Sequence, residues 1–118
     1  MVPQATEALA GLELGGVPIA TVLSQLCGLP AVFVRKARKD YGTCRLAEGM
    51  DVAGRRLAVI EDVATSGGQM VQSIEDLRRE GAVIDTALCV IDREAGAVGR
   101  LSSIGVRLEA LFRLSELS

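Results

Sequence analysis

Residues 57–92, LAVIEDVATSGGQMVQSIEDLRREGAVIDTALCVID, decide the fold of this chain. The stretch opens on the uninterrupted apolar run Leu57, Ala58, Val59, Ile60, the pattern of a strand covered on both faces of its sheet. Beyond the small-residue turn at Thr65, Ser66, Gly67 and Gly68, the apolar residues Met70, Val71, Ile74 and Leu77 recur at helical spacing. Glu75, Asp76, Arg78, Arg79 and Glu80 fall on the other side, so the pattern predicts an amphipathic helix that Gly81 ends. AVIDTALCVID (82–92) then reads as a second strand. Strand, turn, helix and strand in this order form a βαβ unit, whose two strands lie parallel.

The flanking sequence extends this unit. A short apolar piece at 8–14 leads to Gly15-Gly16-Val17-Pro18, a turn whose proline suits the first turn of a helix running to about Cys27 and capped by Gly28. AVFVRK (31–36) reads as a strand and KARKDYGT (36–43) as a charged loop. The tail, with Leu101, Ile104, Val106, Leu108, Leu111, Phe112 and Leu114, predicts a short helix or turn and a last strand. The expected fold is α/β, a mainly parallel twisted sheet flanked by helices, in one domain over residues 1–118. Residues 14–34 carry no charge and are formally long enough to span a bilayer, but Gly15, Gly16, Pro18, Gly28 and Pro30 divide them into a buried helix and a buried strand.

Composition narrows the functional classes. Apolar residues make up 49% of the chain and aromatics only 3%, which implies an aliphatic core with some surface hidden in a partner, so a homodimer is expected. A net charge of -2 argues against a nucleic-acid or anionic-membrane binder working by bulk electrostatics. Cys27, Cys44 and Cys89 form no Cys-x-x-Cys pair, consistent with reduced thiols in a cytoplasm. The chain has no histidine, which excludes histidine metal sites, Ser-His triads and an imidazole base.

Two stretches carry chemistry. In open α/β sheets ligands bind beyond the carboxyl ends of the strands, where Glu61 and Asp62 precede Thr65-Ser66-Gly67-Gly68. Backbone amides of a small-residue turn at a helix N-terminus wrap a phosphate. The acids would repel a phosphate and must face another part of the ligand: sugar hydroxyls, a Mg²⁺ ion or a carbon bearing positive charge. Neither a Walker A motif nor a dinucleotide fingerprint is present. The second stretch places Arg35, Lys36, Arg38 and Lys39 within five residues, and Lys36 and Lys39 are the only lysines. Such a cluster can neutralise a pyrophosphate.

VIEDVATSGG (59–68) resembles the phosphoribosyl pyrophosphate signature of the type I phosphoribosyltransferases, and VFVRKARKDYGT (32–43) with AEG (47–49) resembles the catalytic loop of their orotate branch. GLELGGVPIA (11–20) resembles the family's pyrophosphate-side loop, and VIDREAGA (90–97) its segment with an orotate-contacting arginine. The resemblance implies transfer of a phosphoribosyl group from phosphoribosyl pyrophosphate to orotate, giving orotidine 5'-phosphate and pyrophosphate in pyrimidine nucleotide synthesis. It implies that Glu61 and Asp62 hold the ribose hydroxyls and stabilise positive charge at the anomeric carbon. Val63, Ala64, Thr65, Ser66, Gly67, Gly68 and Gln69 would cradle the 5'-phosphate, with Thr65 also near orotate. Arg35, Lys36, Lys39 and Tyr41 would bind the pyrophosphate, Lys39 as a catalytic residue reaching into a neighbour's site across a shared-site homodimer. Gly15 and Gly16 would bring backbone amides to the same group, and Arg93 would pair with the orotate carboxylate. Mg²⁺ would arrive with the substrate and be held through it rather than by direct protein ligation, Asp62 being the one candidate for a contact.

The chain departs from the family in two places. Tyr41 stands where the family commonly has histidine; it donates a hydrogen bond but carries no charge at neutral pH. Only fourteen residues precede Gly15, so the N-terminal hood over the base is expected to be largely absent. Two other functions stay open at this level: a catalytically weak or inactive regulatory protein that binds phosphoribosyl pyrophosphate, and a phosphoribosyltransferase for another base.

Overall fold

The structure, a computed structural model, describes residues 1–36 and 46–117. Strands β1 (Ala8–Leu12), β2 (Ala31–Val34), β3 (Ala47–Glu48), β4 (Arg56–Ala64), β5 (Val83–Asp92) and β6 (Arg107–Arg113) form one sheet in the order β3-β2-β1-β4-β5-β6. All neighbours pair in parallel except β3, which runs antiparallel to β2. The mainly parallel sheet expected from the sequence is therefore present, with α1 (Gly16–Cys27), α2 (Gly68–Arg79), α3 (Ala97–Ser102) and α4 (Leu114–Leu117) around it.

β4 is central and its alternate residues serve two apolar layers. Leu57 and Val59 face a layer that includes Leu12, Val32, Ile74, Leu77 and Leu101. Ala58 and Ile60 face the other, with Leu9, Ala20 and Leu88. Thus α2 and α3 cover one face and α1 the other, which explains why the 57–60 run has no polar alternation. Each large aliphatic side chain buried in this way contributes roughly 1.5–3 kcal/mol.

The chain leaves β1 outward to β2 and returns to lay β4 on the other side of β1. The connections after β1 and β4 thus depart to opposite faces, leaving a crevice at the carboxyl ends of these strands. Residues 14–34 divide as predicted into α1 and β2 around Gly28, whose φ of +76° closes the helix. No helix among the described residues is long and apolar enough to cross a membrane.

Three features differ from the sequence reading. Arg78, placed on the outer side of its helix, is turned inward: Nη1 donates to Ile104 O at 2.8 Å and Nη2 to Ile84 O at 2.7 Å, joining α2 to β5 and to the chain before β6. Its long stem crosses apolar surface to reach carbonyls outside the helix, a freedom that helical spacing does not register. β3 is two residues long, too short for any periodicity, and α4 follows β6 without a break in sequence character.

Candidate active site

The turn after β1 lies against the end of strand β4 through two glycines. A Cβ on Gly15 would lie 2.2 Å from Asp62 Oδ2, and one on Gly16 would lie 2.1 Å from Ile60 O. A side chain at Gly16 would strike sheet backbone, and one at Gly15 would displace the Asp62 carboxylate. The Gly15-Gly16 pair and the Glu61-Asp62 pair, far apart in sequence, therefore form one surface.

Glu61 and Asp62 differ in surroundings. Asp62 is exposed, and its Oδ1 accepts a hydrogen bond from Val63 N at 2.7 Å. Glu61 is half-buried at the rim of a small apolar hollow of about 130 Å³ that Ile19, Leu23, Ile60 and Leu88 help to line. Burial is the main cause that pushes its carboxyl up to about 7; the neighbouring Asp62 carboxylate adds to this, while the amide of Asp62, 3.0 Å from Glu61 Oε1, and the charge of Lys36 oppose it.

The next turn has the form of an anion site. Thr65 and Ser66 are exposed, and Gly67 adopts a left-handed φ of +83° against Ala97 of α3. Gly67, the residue before α2, has no side chain to cap the helix, Ser66 Oγ accepts only a long hydrogen bond of 3.4 Å from Gly68 N, and no acid lies in the first turn, so no negative side chain stands among the leading amides. Met70 is buried and anchors this turn, whereas Gln69 is exposed. Val63 is partly exposed and Ala64 buried.

Arg93 stands beside the turn because its amide donates to Ala64 O at 2.9 Å. The residues around it are fixed as well. Buried Asp92 accepts from Glu94 N at 2.8 Å, and Glu94, at φ +61°, accepts from Ser115 N at 2.8 Å. The Arg93 side chain is exposed. A cavity of about 640 Å³ opens next to this loop, lined in part by Asp92, Glu94, Gly96, Ala97 and Arg113.

Of the basic run, Lys36 is exposed and close enough to Glu61 to lower its proton affinity. Arg35 is engaged elsewhere: Nη2 pairs with Glu48 Oε1 at 3.0 Å across β2 and β3. Lys39 and Tyr41 lie outside the described residues. Sequence reasoning missed Glu13 and Glu48, which tie this region together. Both lie inside motifs that had been singled out, GLELGG and AEG, but nothing in the motifs said which strand each acid would face. Among the described residues no group of three or more His, Cys, Asp or Glu side chains could hold a metal ion.

No protein-family model matches the chain. Known proteins do. An orotate phosphoribosyltransferase of Nocardioides sp. is 49% identical over 99% of this chain and 65% of its own length. The orotate phosphoribosyltransferase of Methanocella arvoryzae is 42% identical over 99% of this chain and 67% of its own. The chain belongs to the orotate phosphoribosyltransferase family. It spans about two thirds of the length of these relatives. Among solved orotate phosphoribosyltransferases, that of Aeropyrum pernix superposes with a TM-score of 0.85 at 38% identity, over 95% of this chain and 63% of that one. That of Mycobacterium tuberculosis, solved in complex with 5-phospho-alpha-D-ribosyl 1-diphosphate, superposes with a TM-score of 0.83 at 28% identity, over 98% of this chain and 67% of that one. Over the part that superposes, the sheet and helices of these structures are those described above.

Proposed function

We propose that this member of the orotate phosphoribosyltransferase family, acting as one domain over residues 1–118, transfers the phosphoribosyl group of phosphoribosyl pyrophosphate to orotate. The observation that carries this reading is the packing of Gly15 against Asp62. It sets a glycine turn against an acidic pair that itself leads into the N-terminus of α2, and a ligand with pyrophosphate, ribose and phosphate in that order needs all three.

The roles follow from the chemistry of each group. Amides at Thr65, Ser66, Gly67, Gly68 and Gln69 hold the 5'-phosphate with the α2 dipole. Glu61 and Asp62 accept from ribose hydroxyls and oppose positive charge on the sugar as the pyrophosphate leaves. That charge favours the ionised form of Glu61, whose raised proton affinity holds it near the balance point at neutral pH. Lys36, together with Lys39, Tyr41 and the part of the Arg35 guanidinium not paired with Glu48, stabilises the departing pyrophosphate, and Gly15 and Gly16 admit it close to backbone. Arg93 pairs with the carboxylate of orotate, a planar bidentate contact suited to guanidinium.

The donor set fits Mg²⁺ brought by the substrate, since that ion takes one or two carboxylates plus phosphate oxygens and keeps several waters. Exposed Asp62 beside Glu61 is such a pair. When bound, Mg²⁺ neutralises charge on the pyrophosphate. Exposed Val22 and Leu26 on α1, and Leu111, Phe112 and Leu114 near the C-terminus, support assembly as a homodimer. The free thiols of Cys27 and Cys89 suit a reducing cytoplasm.

Loss of orotate absorbance on mixing with phosphoribosyl pyrophosphate and Mg²⁺ tests the transfer. Consumption of orotate but not of adenine, uracil or hypoxanthine is the expected result. Tight binding of phosphoribosyl pyrophosphate with no turnover of any base would replace transfer by a sensing role.

A further inference from the structure

Glu13 lies between the end of β1 and the Gly15-Gly16 turn and makes two hydrogen bonds to the exit of β2. Its amide donates to Val34 O at 2.8 Å, and its Oε1 accepts from Lys36 N at 3.1 Å. The β1–β2 ladder ends at Leu12 and Val34, so no β1 carbonyl continues it toward Lys36. The Glu13 carboxylate supplies an acceptor at this place. On the opposite side of the same strip, Arg35 N donates to Leu46 O at 2.9 Å and Arg35 Nη2 pairs with Glu48. The strip is thus held from both flanks, and through Glu13 it is joined to the turn that packs on Asp62 and Ile60.

Charge makes the position of Glu13 informative. A carboxylate next to a pyrophosphate site repels the ligand, so an acid there needs a compensating task. We propose that Glu13 is a positioning residue: by accepting from the Lys36 amide it sets the base of the basic run in register with the glycine turn, and so fixes how the pyrophosphate end of the substrate is held. The role rests on phosphoribosyl pyrophosphate being the ligand.

Three substitutions separate hydrogen bonding from charge. Glu13→Gln keeps an acceptor at the same reach without charge, Glu13→Asp keeps the charge one methylene short, and Glu13→Ala removes both. Hydrogen exchange of the Lys36 amide in the ligand-free chain, the melting temperature, and the calorimetric Kd for phosphoribosyl pyrophosphate with Mg²⁺ are the readouts. Gln is expected to match the wild type within about twofold, while Asp and Ala speed Lys36 exchange and weaken binding by about tenfold, the net worth of one hydrogen bond. Comparing Gln with Asp keeps the test valid should Ala fail to fold. Asp behaving as wild type while Gln behaves as Ala would overturn the role, and so would faster Lys36 exchange with unchanged affinity. Failure of the wild type to bind phosphoribosyl pyrophosphate would instead remove the ligand, and this role with it.

Discussion

Gly15 and Asp62 are packed so closely that a methyl group on the glycine would lie 2.2 Å from the Asp62 carboxylate oxygen. The contact joins the turn after β1 to strand β4 and sets the acid whose charge the proposed chemistry uses.

Gly15→Ala and Gly16→Ala should therefore separate function from folding. The first substitution meets the end of an exposed side chain that can rotate away, so stability should change by no more than about 0.5 kcal/mol while affinity for phosphoribosyl pyrophosphate falls about tenfold. The second meets the Ile60 carbonyl, which is part of the sheet and cannot retreat alone, so it should cost about 1–3 kcal/mol. Urea unfolding beside calorimetric binding distinguishes the two; equal stability losses would count against the contact.

Glu61 should impose a pH dependence near neutrality. Its pKa is raised from 4.5 to about 7 in the folded chain, so the folded state holds the proton more tightly than the unfolded one. Its contribution to stability is thus fully present at pH below 4.5 and is lost as pH rises through about 7. Ligand binding should run the other way and strengthen between about pH 6 and about pH 8, because the proposed role puts the ionised form against the ribose. Glu61→Gln should flatten both curves, and a binding profile unchanged by the substitution would assign the titration elsewhere.

Arg93→Ala should raise the KM for orotate about tenfold or more and leave that for phosphoribosyl pyrophosphate within about twofold. The side chain is exposed, so the melting temperature should hold. Arg93→Lys should recover little, since an ammonium cannot make the bidentate contact. Parallel loss for both substrates would show a collapsed loop instead.

Chelation with EDTA should leave the thermal unfolding of the ligand-free chain unchanged and abolish tight binding of phosphoribosyl pyrophosphate. The described residues offer two adjacent carboxylates rather than a protein cage. A drop in melting temperature on adding EDTA alone would point to a resident metal.

Much of this architecture was legible in one dimension. The apolar run at 57–60, the helical recurrence of Met70, Ile74 and Leu77, and the punctuation at Gly28 and Gly81 are local signals, and the elements they predict are present. The two-residue β3 was not, because a strand that short exists only by pairing with β2. Arg35 shows the same limit within the site. Its charge marked it as a pyrophosphate ligand, yet its pairing with Glu48 depends on the antiparallel return of the chain beside β2.

By itself, then, the sequence determined the βαβ unit, the small-residue turn before α2 and the kinds of group that surround it. Hydrophobic period, glycine conformation and side-chain chemistry are properties of short stretches. Tertiary structure alone decided that Gly15 meets Asp62, that Glu13 reaches Lys36, that Arg78 turns inward and that Glu61 holds its proton to about 7. Each depends on which segments become neighbours, and that is set by burial of both faces of β4 in a sheet ordered β2-β1-β4-β5.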